Sequence, residues 1–176
     1  GNPNAYTNTE AFTQILWVRV EDTSTVEGCH KLTTLELIVN PLPVLVTPSP
    51  LELCDVNNPG DEQEAFILEE ANAEILNGQT GITLTYYENQ ADAENETSPI
   101  TSPYVNDSNP QTIFVRAEND VTGCYNTVTV TLRVNPIPSP EPDPTPIEVC
   151  DDDNDGFAEF DLETRTVEIT NGEDDI

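Results

Sequence analysis

The sequence predicts an all-β protein. It reads as tandem immunoglobulin-like, antiparallel β-sandwich modules of about 95 residues, joined by Pro-rich linkers and carrying one short helix each. Three observations predict this. Apolar residues alternate with Thr and charged residues at period two. Five sequence blocks recur in one order at one spacing. Pro-rich stretches punctuate the chain at that same spacing.

The strands follow from the alternation. In 128–134, VTVTLRV, the apolar residues take one face and Thr and Arg the other. Leu35, Leu37 and Val39 repeat the pattern earlier in the chain. Ile113, Val115 and Ala117 face inward in a second strand, and Ile82, Leu84 and Tyr86 in a third. Residues 51–53 open the module, and 65–68 add another strand. A helix is expected over 69–76, ended by Asn77-Gly78 as its C-cap.

The repeat sets the organisation. Gln14 to Glu21 matches Gln111 to Glu118, and Gly28-Cys29 matches Gly123-Cys124. Val39-Asn40-Pro41 matches Val134-Asn135-Pro136. Leu53-Cys54-Asp55 matches Val149-Cys150-Asp151, and Asn77-Gly78 matches Asn171-Gly172. Residues 1–45 are thus the C-terminal half of one repeat, and 46–138 a complete one. Residues 139–176 are a linker and the N-terminal half of the next. A half-copy cannot close its own core, so the array is expected to continue both ways. The linkers, 41–50 and 136–146, are read as polyproline II spacers.

Charge narrows the partners. The chain has 34 acidic and 5 basic residues, a formal net charge of −29. That excludes most nucleic-acid binders, which need cations to displace phosphate counterions. It also argues against docking on anionic lipid. No apolar run approaches the roughly 20 residues of a membrane span, so no membrane insertion is expected.

Four cysteines, 29, 54, 124 and 150, form no C-x-x-C pair, which argues for disulfides in an oxidising, extracellular setting rather than a zinc site. Two pairings stand. In the favoured one, Cys54 bonds Cys124 within the complete module, and Cys29 and Cys150 pair outside residues 1–176. This assumes that the first strand ends where the last begins. Closing that loop would stabilise the module by roughly 4 kcal/mol in the chain-entropy model. In the other, Cys29–Cys54 and Cys124–Cys150 bridge neighbouring modules.

One loop has metal-ligand spacing. Asp151, Asp153 and Asp155 precede Gly156 as D-x-D-x-D-G, the start of a calcium loop. The Phe157 carbonyl, Glu159 and Asp161 are the further candidates. The bidentate Glu expected at position 12 is replaced by Leu162. The earlier copy is degraded, leaving Asp55, Asn57 and Asp61 as weaker candidates. Calcium is the only cofactor the sequence suggests.

Catalysis finds no support. The single His30 follows a cysteine, and no nucleophile elbow, P-loop or H-E-x-x-H occurs. Trp17 and Phe114 share one repeat position and are expected to pack on the second sheet face, with sugar stacking as the rival reading. Arg19 and Arg116 are expected to pair with strand carboxylates. Asn95-Glu96-Thr97 and Asn106-Asp107-Ser108 have the form of glycan sequons.

The phrases Leu51-Glu52-Leu53-Cys54-Asp55, Ile82-Thr83-Leu84-Thr85-Tyr86-Tyr87, Ile113-Phe114-Val115-Arg116-Ala117-Glu118-Asn119 and Gly123-Cys124 carry a resemblance. The chain resembles the tandem modules of large Bacteroidota cell-surface proteins exported by type IX secretion, including gliding-motility adhesins. The resemblance covers essentially all residues. It implies a non-catalytic cell-surface repeat, a stalk that presents a binding region. Its partners would be neighbouring repeats and a surface polysaccharide or other cell-surface protein. The alternative is a carbohydrate- or ligand-binding accessory module of a secreted protein.

Overall fold

Residues 5–24, 26, 28–153 and 155–173 are described by the structure, a computed structural model. Strands β1 (Thr13–Glu21) and β2 (His30–Ile38) form an antiparallel hairpin. Then come β3 (Leu51–Cys54), β4 (Ala65–Phe66), a 3-10 turn at Leu68–Ala71 and helix α1 (Asn72–Leu76). Next are β5 (Ile82–Tyr87), α2 (Gln90–Asn95), β6 (Tyr104–Val105), β7 (Gln111–Asn119) and β8 (Tyr125–Asn135). A second 3-10 turn at Leu162–Arg165 and α3 (Thr166–Ile169) close the described chain. No helix among the described residues is long and apolar enough to cross a membrane.

The fold is all-β and sandwich-like. One layer is a four-stranded sheet in the order β3-β8-β7-β5. The other is the β4–β6 ribbon with the turn and α1 that follow β4. Between them Ile113, Val115, Val130 and Leu132 are fully buried, together with Leu68 and Ile75, and Phe66 is 2% exposed. Each such side chain contributes roughly 1.5–3 kcal/mol by leaving water. The alternation that predicts β7 and β8 is what aims these residues at one layer.

Three local expectations change. Residues 65–68 make only a two-residue strand, because Leu68 already begins the 3-10 turn. The helix expected over 69–76 is that turn followed by α1, and Asn77 ends it in the left-handed conformation at φ 45°. A second helix, α2, has no apolar periodicity to announce it. It is capped by the Asn89 side chain, which accepts from Asp92 N–H at 2.9 Å.

The largest change is directional. The sheet is mixed, because β3 runs parallel to β8, with Leu51 opposite Leu132 and Cys54 opposite Asn135. The segment before β3 is no free spacer. Pro43 and Pro48 are buried, and Leu45 packs against the core. The Pro43 carbonyl accepts from Asn126 Nδ2 at 3.1 Å, and Val46 N–H donates to Ile75 O at 3.2 Å. The chain therefore runs in the same direction as β8, from Pro43 beside Asn126 to Cys54 beside Asn135.

The repeat is visible in three dimensions. Leu16 faces Leu35 across the first hairpin as Ile113 faces Val130 across the second. The first hairpin's loop is two residues longer, so the repeat spacing drops from 97 in β1 to 95 in β2. At the other end, Glu141 N–H donates to Ile169 O as Val46 does to Ile75. Gly156 N–H donates to Asp151 Oδ2 as Gly60 does to Asp55 Oδ2.

Burial differs between the copies. Val20, Leu35 and Val39 are each at least half exposed, whereas their equivalents Ala117, Val130 and Val134 are buried. Phe160, Leu162 and Ile169 are 46%, 73% and 42% exposed, against 0–2% for Phe66, Leu68 and Ile75. The first hairpin and the last segment thus each present one half of a module core.

Candidate functional site at the two poles of the module

The parallel β3–β8 pair gives the complete module two distinct ends. At the upstream pole β8 begins, the chain arrives at Pro43, and Cys124 stands just before Tyr125. At the downstream pole β8 ends at Asn135, beside Cys54, and Asp55 N–H donates to Asn135 O at 2.8 Å. Ten residue steps separate Tyr125 from Asn135, about 33 Å at strand rise. A disulfide needs Cα atoms within about 7 Å. The expected Cys54–Cys124 bond therefore does not fit this fold. The expectation assumed a first strand ending where the last begins, and parallel pairing reverses that.

The upstream pole is a tight hairpin loop. Asn119 Oδ1 accepts from Val121 N–H at 3.1 Å and Thr122 N–H at 3.0 Å, and Gly123 adopts φ 68°. That turn delivers Cys124 to the ladder, where its carbonyl accepts from Asn119 N–H. Cys124 is half-buried and Cys54 is exposed.

The downstream pole is a braced loop. Glu64 is 5% exposed, and its Oε1 accepts from Val56 N–H at 2.6 Å and Asn57 N–H at 2.8 Å. The Asn57 side chain donates to its Oε2. The Asn57 N–H bond in particular holds the Glu64 carboxyl below the usual carboxylate range. A group with a depressed folded pKa stabilises above its unfolded value, and that stability is lost as pH falls through the folded value. Stability should therefore fall as pH drops below about 4, and Glu64→Gln should shrink that fall. Melting temperatures between pH 7 and pH 3 check it. An unchanged acid response in the variant would remove Glu64 from the account.

Beside Cys54 lies a cleft lined by Asp55, Pro59, Gly60 and residues 136–139. Asp55 is 3% exposed. Its Oδ2 accepts from Gly60 N–H, but its buried Oδ1 has no hydrogen-bond partner. The weaker calcium candidates are engaged in hydrogen bonds of the loop. The Asn57 amide is turned to Glu64, and Asp61 accepts from Asn58 Nδ2 and Gln63 N–H.

The later loop does bring ligands together. Asp151, Asp153 and Asp155 are exposed, and each places a carboxylate oxygen within 4.8 Å of the others. Such a donor set is one through which a hard cation would be held. The same carboxylates also brace the loop: Asp151 accepts from Asp155 N–H and Gly156 N–H, and Asp155 from Phe157 N–H. Phe157 is 82% exposed, Glu159 is exposed, and Asp161 caps the following turn through Glu163 N–H. Asn154 of this motif lies outside the described residues.

The outer sheet face carries ion pairs and a ring contact. Arg116 is 5% exposed and bonds Glu96 at 2.7 Å and Glu118 at 2.8 Å, with its guanidinium 3.3 Å above the Tyr125 ring. Arg19 makes the same strand pairing with Glu21 at 2.7 Å. Phe114 is half-buried on this face, paired across strands with Tyr87 and Thr129. Trp17, at the same repeat position, is 74% exposed, because among the described residues no strand equivalent to β5 flanks its hairpin.

Comparison with known proteins returns one family. The family described as Flavobacterium inter-domain disulphide bond domain matches residues 1–43 and 50–138. No curated protein and no solved structure matches the chain.

Proposed function

The chain belongs to the Flavobacterium inter-domain disulphide bond domain family, and from that premise we propose that it is a stretch of a tandem array at the cell surface. Each module is a non-catalytic structural repeat, tied to its neighbours by disulfides, and the array extends as a stalk that presents an adhesive region. The observation that carries this reading is the structural repeat. The half-modules at each end reuse the register, caps and linker contacts of the complete one. The charge of −29 supports it, since like-charged modules stay soluble and resist side-by-side association.

A carbohydrate- or ligand-binding accessory role rests on Trp17. Its counterpart in the complete module is Phe114, half-buried beside Tyr87, which favours the stalk.

The stalk reading sets a length. From Asn126, level with Pro43, to Pro138 is twelve residue steps, about 40 Å at strand rise. Solution scattering on stretches of the parent array with two, three and four complete modules should show the maximum dimension growing by about 40 Å per module. A dimension that stays nearly constant would mean that the modules fold back on one another, and the stalk reading would fail.

A further inference from the structure

Resting on the reading of disulfide-linked modules, we infer that the bond has a fixed polarity: the Cys54-type thiol of one module bonds the Cys124-type thiol of the module after it. The inference comes from axial levels along β8.

Cys54 lies level with Asn135 at the downstream pole. Three residues later comes Pro138, the repeat equivalent of Pro43. Within the complete module, Pro43 lies level with Asn126, and Cys124 stands two residues further upstream. The next module's Cys124 equivalent therefore lies two residues back from Pro138, level with Pro136. That is one residue step from the level of Cys54, about 3.3 Å along the axis. Along the axis, that offset is within the reach of a disulfide, about 7 Å between Cα atoms.

No other pairing meets this condition. Cys54 and Cys124 of one module sit at opposite poles. Cys54 and Cys150 are repeat equivalents, one module length apart. Cys124 and Cys150 lie at the upstream pole of one module and the downstream pole of the next, farther apart still.

Two further features of the downstream pole fit. Cys54 is exposed, and beside it the cleft lined by Asp55, Pro59 and residues 136–139 holds the unpartnered Asp55 Oδ1. The incoming hairpin loop of the next module is positioned to fill that cleft and to offer it a donor. In bond formation the two thiols give up two protons and two electrons, and a disulfide-bearing oxidant is reduced to two thiols.

The experiment uses three consecutive complete modules of the parent array, with this chain's complete module in the middle, oxidised in a glutathione redox buffer. Unreduced Glu-specific digestion and mass spectrometry should place Cys54 in one cross-linked peptide with the cysteine about 95 residues beyond Cys124. Cys124 should be cross-linked to the Cys54 equivalent of the first module. Cys54→Ser should expose one alkylatable thiol more than the parent shows, the Cys124 equivalent of the third module, and leave Cys124 bonded. A Cys54–Cys124 or Cys54–Cys150 cross-link would overturn the polarity and leave the inter-module reading to be re-drawn. If every cysteine of the folded, oxidised array stays alkylatable, the reading of disulfide-linked modules fails with it.

Discussion

Phe66→Ala should destabilise the complete module by about 3–5 kcal/mol, while Phe160→Ala should change it by less than about 0.5 kcal/mol. The two residues hold one repeat position. Phe66 is 2% exposed at the centre of the core, against Leu68, Ile75 and the inner faces of β7 and β8. Removing its ring loses the transfer free energy and leaves a cavity that the rigid sheet cannot close. Phe160 is 46% exposed and belongs to a half-core that no hairpin covers in this chain. A domain of this size has roughly 5–15 kcal/mol to lose, so the first variant should be largely unfolded in mild denaturant. Urea unfolding of the full chain, followed by circular dichroism, checks both. Equal effects would mean that the last segment is packed after all.

The second large effect is expected at Asn106. It is 1% exposed and joins three backbone groups. Its Oδ1 accepts from Glu64 N–H at 2.8 Å, and its Nδ2 donates to Glu62 O at 2.8 Å and Ser108 O at 3.0 Å. Asn106→Leu keeps the branched shape of the side chain and strands all three. Leaving a buried polar group unpaired costs about 1–3 kcal/mol, so the loss should be roughly 3 kcal/mol or more. Asn95, in the other sequon, is exposed on α2 and donates only to Ala91 O. Asn95→Leu should move the unfolding midpoint little. If the two variants unfold alike, the buried hydrogen bonds of Asn106 carry no stability of their own.

These two pairs of residues also show where sequence reading works and where it stops. Alternation along a strand is local, so VTVTLRV and IFVRA declare which residues share a face before any partner is known. The repeat is likewise written in the letters, and with it the all-β class. The Asn77-Gly78 cap is legible because a left-handed residue must end the helix there. The clustering of Asp151, Asp153 and Asp155 follows from their spacing in a tight turn.

Strand direction is different. Nothing local says whether the first strand pairs parallel or antiparallel with the last, because the choice is made by contacts about 80 residues apart, such as Leu51 with Leu132. The same holds for α2, too short and polar to show a period, and for the buried state of Glu64 and Asn106, both polar letters. The sequence by itself determined the class, the repeat and the inward faces, because each depends on neighbours in the chain. Only the tertiary structure decided which pole each cysteine occupies, because the parallel β3–β8 register alone separates Cys54 from Cys124 by the length of a strand.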